Sequence, residues 1–263
     1  MGEKERVIND KLQKLIKRIK NADWKDCDRP YMARLAKERI NELQQRGVYC
    51  VDRFVRRLLA SVTGKEAYLD ILMEGRFAII LARNGFKEIH IEYCSEGPDI
   101  KTEYNRQTVY FEVTRRHTDE DEWTGEYGAA GPSPDRPENV IDRIRGKLGQ
   151  LKSGGTNIVV LWSDTVKLGK PDVEEAFKYI QQEICHHPKY GDLSGVLLTE
   201  SGGVDLATMK QFYLFKNNKA SKPVGTRLGK KLESLHERGL KQLQKELEDL
   251  TAAVKQLKAT RNL

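Results

Sequence analysis

The residues best placed to do chemistry in this chain are acids set among apolar side chains. Glu112 lies within Tyr110-Phe111-Glu112-Val113-Thr114, where apolar and polar residues alternate as in a half-buried strand. A carboxylate between Phe and Val is costly to bury unless it is paired or bound to a cation. Asp99 follows Gly97-Pro98 at a predicted strand boundary. The two strands are close enough in sequence to form a hairpin, which would bring both carboxylates to one edge. Strand side chains alternate, so Glu112 and Thr114 share a face and Val113 points to the other. Two or three carboxylates converging on one point suit a hard, oxygen-liganded ion such as Mg2+. Taken alone, Glu112 reads more simply as a solvated acid on an edge strand. The features that stand in order around it argue otherwise.

Those features sit on elements that the spacing predicts. Ile8, Leu12, Leu15 and Ile19 stripe a first helix rich in Lys and Arg, Asp28-Arg29-Pro30 opens a second that Gly47 ends, and Val51, Phe54, Val55, Leu58, Leu59 and Val62 stripe a third. Thr63-Gly64-Lys65-Glu66 has the form of a capping box, predicting a long helix that carries Glu74 and ends at Gly85. Ile89, Ile91 and Tyr93 alternate in a strand, 97–101 reads as a short strand of its own, and Tyr104-Asn105-Arg106 reads as the turn before the Glu112 strand. Residues 117–137, with Asp119-Glu120-Asp121-Glu122, read as a long surface loop. A helix over 138–152 follows, then the apolar run Asn157–Trp162, which suits a central strand buried on both faces. Pro171 opens a helix to about Cys185, and 196–198 and 212–215 read as later strands. A final helix runs from about Thr226 to the end, with Leu240, Leu243, Leu247, Leu250, Val254 and Leu257 in heptad rhythm. The whole predicts an α/β (α+β) sheet domain over 64–218, between a basic helical region, 1–63, and a basic amphipathic helix, 219–263.

The ordered set resembles the PD-(D/E)xK, or restriction-endonuclease-like, nuclease superfamily. That family runs from a helix with a Glu, through a strand carrying Pro-Asp and a strand carrying Glu-x-Lys, to a helix with Lys or Gln and a buried strand. Here the matching residues are Glu74-Gly75-Arg76-Phe77-Ala78, Gly97-Pro98-Asp99, Phe111-Glu112-Val113-Thr114, Ile144-Arg145-Gly146-Lys147-Leu148-Gly149-Gln150-Leu151 and the strand 157–162. The resemblance covers roughly 64–165, under half the chain, and each motif is short. It implies a restriction-endonuclease-like mixed sheet core with flanking helices. It implies that Asp99 and Glu112 ligate Mg2+ (or Mn2+ in its place), with the Val113 carbonyl as a third ligand. Glu74 would bind the metal or its water, and Gln150 would position the site or contact a phosphate. The reaction implied is phosphodiester hydrolysis by an endonuclease of restriction or repair type, the cation lowering the pKa of water and offsetting charge at phosphorus.

One position departs from the family pattern. The lysine two residues after the Glu is Thr114, which offers a hydroxyl and no charge. Lys147, Arg116 and Lys101 are the basic residues that could replace it. Lys147, which shares a helix face with Gln150 at (i, i+3), is favoured because a lysine moved to this helix would keep its charge near the metal. The alternative is a weak or inactive enzyme that still binds nucleic acid, or assembles, on the same fold.

Charge distribution fits a nucleic-acid partner, most simply DNA. The net charge is +7, but residues 1–48 hold 13 Lys/Arg against 8 Asp/Glu and residues 219–263 hold 11 against 5, so the middle is acidic with 22 against 26. Basic ends around an acidic centre suit arms that grip phosphates and a core that collects a cation. The same helices also have apolar stripes to bury, and a homodimer through the C-terminal helix is one way to cover the heptads. Aromatics are sparse in both ends, so the expected contacts are salt-sensitive backbone electrostatics. Mean hydropathy is −0.64 with no apolar run of about 18 residues, so no membrane span is expected. The charged start lacks a secretory signal, and four scattered cysteines favour reduced thiols in a cytoplasmic setting. Cys185-His186-His187 has no second ligand pair nearby and reads as a helix end rather than a zinc site. Neither a Gly-x-Ser-x-Gly elbow nor a phosphate-binding Gly-x-x-x-x-Gly-Lys loop occurs.

Overall fold

Four helices precede the first strand, and the chain then alternates strands and helices. The structure, a computed structural model, describes residues 3–92, 97–116, 137–163, 170–200 and 212–235. The elements are α1 (Glu3–Lys20), α2 (Asp28–Gln45), α3 (Val51–Ser61), α4 (Lys65–Arg83), β1 (Lys87–Ile91), β2 (Ile100–Tyr104), β3 (Gln107–Arg116), α5 (Pro137–Leu148), β4 (Thr156–Ser163), α6 (Lys170–Tyr179), β5 (Leu193–Glu200), β6 (Phe212–Lys216) and α7 (Thr226–Glu233). A π-helical turn, Ile180–Ile184, prolongs α6.

The strands form one mixed six-stranded sheet in sequential order, parallel from β3 to β5 and antiparallel at both edges. The β2–β3 hairpin closes through Asn105 and Arg106, both at positive φ (49° and 64°), as the tight twist-matched hairpin turn requires. This hairpin sets the register that pairs Ile100 with Phe111, and so brings Asp99, just before β2, beside Glu112.

Alternation along the strands separates two apolar cores. Phe111, Val113, Ile158, Val160, Trp162, Leu197 and Leu214 face α1–α4 and α7. Val159, Leu161, Val196 and Leu198 face α5 and α6, which contribute Ile144, Leu148, Ala176 and Ile180. The continuous apolar run of β4 is thus explained: both of its faces are covered. Residues of α1–α3 belong to the same core as the sheet face they cover.

Two packing details position charged groups. Gly75 of α4 lies against the Phe54 ring of α3, where a Cβ would meet ring carbons at 2.6 Å. The bare glycine lets α3 approach α4 closely. On the same side of the sheet, Arg115 of β3 is buried and donates to Asp70 of α4 at 3.0 Å and to Glu66.

Several boundaries differ from the sequence reading. The capping box does not form: the N-cap of α4 is Gly64, extended at φ −122°, with no side-chain cap. The short strand begins at Ile100 rather than 97, because Gly97-Pro98 cannot supply ladder hydrogen bonds. The helix over 138–152 ends at Leu148, leaving Gln150 in the turn after it. The helix from Thr226 stops at Glu233; Leu228, Leu232 and Leu235 are buried in the first core, which anchors this segment to β6. The heptads at 240–257, the dimer they suggest, His117 and the acidic run 119–122 lie outside the described residues. Among the described residues no helix is long and apolar enough to cross a membrane.

Candidate functional site

Four carboxylates and two cations meet where the β2–β3 hairpin passes under α3, α4 and α5. Glu112, in mid-β3, is 1% exposed, and its register opposite Val159 turns it toward α5. Lys147, in the last turn of α5 where a cation is favoured by the helix dipole, places Nζ 3.2 Å from Glu112 Oε2 and 3.5 Å from Asp99 Oδ2. It also donates to Gln150 Oε1 at 3.2 Å. Asp99 is buried, and its Oδ2 accepts the Val113 backbone N–H at 2.8 Å. The N–H and C=O of a strand residue leave on the same side, so the Val113 carbonyl opens toward Asp99 too.

The second cation is Arg57 of α3. It forks onto Glu74 of α4, with Nη1 to Oε2 at 2.6 Å and Nη2 to Oε1 at 3.0 Å. The same Nη1 bonds Glu92 and lies 3.7 Å from Asp99 Oδ1. Glu74 is buried in mid-helix, and the close α3–α4 approach at Gly75 is what puts Arg57 within reach of it. Glu92 follows β1 at φ +53°, and its backbone N–H bonds the Asp99 carbonyl at 2.8 Å, which ties the two acids together.

The structure therefore brings together Glu74, Asp99, Glu112, Lys147 and Gln150. Thr114 shares the sheet face of Glu112, one pair further along β3 opposite Leu161. Lys101 is turned to His90 across the β1–β2 pair, and the Arg116 side chain lies outside the described residues. Sequence reasoning missed Arg57 and Glu92. Arg57 looks no different from Arg53 and Arg56 beside it, and only the docking of α3 on α4 singles it out.

The electrostatics are those of an under-neutralised pocket. Four buried or mostly buried acids face two cations. Burial, then repulsion from Asp99, push the Glu112 carboxyl up to about 8 against the opposing pull of Lys147. Burial and Asp99 likewise raise Glu74 well above the ordinary carboxylate range, despite Arg57. Burial works against the Lys147 ammonium, but Asp99, Glu112 and Glu74 outweigh it and raise its pKa. Glu112 Oε1 is buried with no hydrogen-bond partner among the described residues. An orphaned carboxylate oxygen beside a second carboxylate fits a hard divalent cation, which keeps some of its waters and needs few protein ligands. Among the described residues no group of three or more His, Cys, Asp or Glu side chains stands ready to hold a metal ion. Arg57 is interposed among Glu74, Glu92 and Asp99, and Lys147 bridges Asp99 Oδ2 and Glu112 Oε2, so the oxygen that meets no cation is Glu112 Oε1, beside Asp99.

Comparison of the chain with protein-family models, with curated proteins and with solved structures gave no match.

Proposed function

We propose that the protein is a Mg2+-dependent nuclease, an endonuclease hydrolysing phosphodiester bonds of DNA on a restriction-endonuclease-like sheet, with Mn2+ able to replace Mg2+. The observation that carries this reading is the buried, partnerless Oε1 of Glu112 beside Asp99. Asp99 and Glu112 would hold the ion, with the Val113 carbonyl as a further oxygen, while Glu74 on α4 keeps both oxygens on Arg57. The ion would supply the chemistry of a lowered water pKa and a counter-charge for phosphorus.

The chain's own residues then have separate tasks. Lys147 carries the positive charge that Thr114 lacks, and it holds that charge 3.2 Å from Glu112. From there it can meet a phosphate oxygen as negative charge builds up on it. Gln150 accepts from Lys147 and fixes the direction of its ammonium. The basic outer face of α1, with Lys17, Arg18 and Lys20 in its last turn, would hold the DNA backbone.

A supercoiled-plasmid assay tests the reading. Cleavage is expected with Mg2+ or Mn2+ and is expected to fall at least about a hundredfold in Asp99→Ala and Glu112→Ala. Lys147→Ala should fall by a comparable factor, while Lys147→Arg retains part of the rate. DNA binding without cleavage under either ion would point instead to a non-catalytic DNA-binding protein on this fold.

A further inference from the structure

Arg57 is bound as a cation is bound. Its guanidinium touches both oxygens of Glu74, one of Glu92 and, at 3.7 Å, Oδ1 of Asp99. It thus faces an array of oxygens from three acids, which is the ligand chemistry of a hard divalent ion. Asp99 divides its two oxygens between the two halves of the site: Oδ1 faces Arg57, and Oδ2 faces Lys147 and the Val113 N–H. Two-ion sites clamp the attacking and leaving oxygens between positive charges about 4 Å apart. In one half Lys147 bridges Asp99 Oδ2 and Glu112 Oε2 and leaves Glu112 Oε1 without a partner; in the other Arg57 engages both Glu74 oxygens, Glu92 and Asp99 Oδ1.

We infer that Arg57 fills a second cation position, so that this protein works with one exchangeable ion and a built-in positive charge in place of a second. The inference rests on the metal-dependent reading above and deepens it. An arginine suits the task, because it stays charged at any working pH and its planar fork matches a carboxylate bidentately. Its side chain is 40% exposed, although Glu74 beneath it is 3% exposed, so Arg57 covers a buried acid from the solvent side. The built-in charge has two consequences: affinity for the exchangeable ion is lowered by the positive neighbour, and the second position is independent of ion concentration.

The test is the number of Mn2+ ions bound per chain, measured by equilibrium dialysis and by the paramagnetic resonance of free Mn2+, without substrate. Arg57→Ala is expected to take up one more Mn2+ than the wild type, and Mn2+ should raise its melting temperature more than it raises the wild type's. Arg57→Lys, which keeps the charge, is expected to match the wild-type count. Arg57→Gln is measured alongside as a variant that retains N–H donors to Glu74, in case the alanine variant is insoluble, and should also gain an ion. Equal counts in the wild type and in the Ala or Gln variant overturn the inference. The wild-type count reads the other question separately: uptake of no Mn2+ at all by the wild type defeats the metal-dependent reading, whereas the difference between variant and wild type decides the role of Arg57.

Discussion

Glu112 and Arg115 stand three residues apart on β3, face opposite sides of the sheet, and each lies in a cluster of charges. Around Arg115 the cation is the buried member, at 7% exposure, and its partners reach water, Asp70 at 37% and Glu66 at 60%. Around Glu112 the acids are the buried members and outnumber the cations four to two. The first cluster settles its own charge, because solvent reaches whatever Arg115 does not neutralise. It joins β3 to α4 and asks for nothing further. The second keeps an oxygen without a partner and a carboxyl pushed up to about 8. The difference teaches that buried ion pairs are not alike: a self-satisfied pair is a strut, whereas an unsatisfied excess of one sign is a receptor for the other.

That contrast can be broken most directly at Glu112. Below its ordinary value of 4.5 the carboxyl is protonated in both folded and unfolded chains. Between 4.5 and about 8 the folded chain keeps a proton that the unfolded chain releases. The contribution of Glu112 to the stability of the ion-free protein should therefore be fully present below that window and fall across it, by roughly 1 kcal/mol per pH unit, levelling off above about 8. Denaturant unfolding across this range checks it: Glu112→Gln should flatten the slope, and saturating Mg2+ should reverse it in the wild type. A flat wild-type profile would remove the distinction between the two clusters.

Arg115→Met should cost about 2 kcal/mol of stability, through lost hydrogen bonds and packing rather than stranded charge, since Asp70 and Glu66 can turn to water. Calorimetry with and without Mg2+ should give the same loss in both cases. A loss that Mg2+ changes would mean that the strut is part of the receptor.

The smallest effect is expected at Gln150. It is exposed and accepts one bond from Lys147, so Gln150→Ala should slow cleavage only severalfold, with no change in melting temperature. A loss as large as that of Lys147→Ala would give Gln150 a direct role at the phosphate.

Much of this site could be read from local pattern. The alternation about Phe111 and Val113 put Glu112 on a strand, Gly97-Pro98 put Asp99 at a strand boundary, and (i, i+3) spacing put Lys147 beside Gln150. Each depends only on neighbours in sequence. The buried run Asn157–Trp162 announced a central strand for the same reason. Arg57 and Glu92 were not legible, because their role depends on how elements dock. Arg57 matters through the glycine that lets Phe54 approach α4, and Glu92 through a left-handed residue at the end of β1. The capping box misled because its motif is satisfied by residue types alone, whereas the cap needs Thr63 at the helix boundary and the structure places Gly64 there. The helix from Thr226 was read as continuous because its leucines keep a three-and-four rhythm; in the described residues it ends at Glu233, and Leu235 after it is buried in the core.

The tight hairpin at Asn105-Arg106 also sets an order of events during folding. A two-residue turn brings its strands together in microseconds, whereas α3 must dock on α4, and α5 must cross over from β3 to β4, before Arg57 and Lys147 arrive. Asp99 and Glu112 are thus neighbours in the nascent chain while their neutralising partners are still distant. Until those partners arrive, the hairpin must tolerate two like charges side by side, and a proton or a cation from the surroundings can neutralise them. On the metal-dependent reading, the same ion would also act as a template for the assembly of the site.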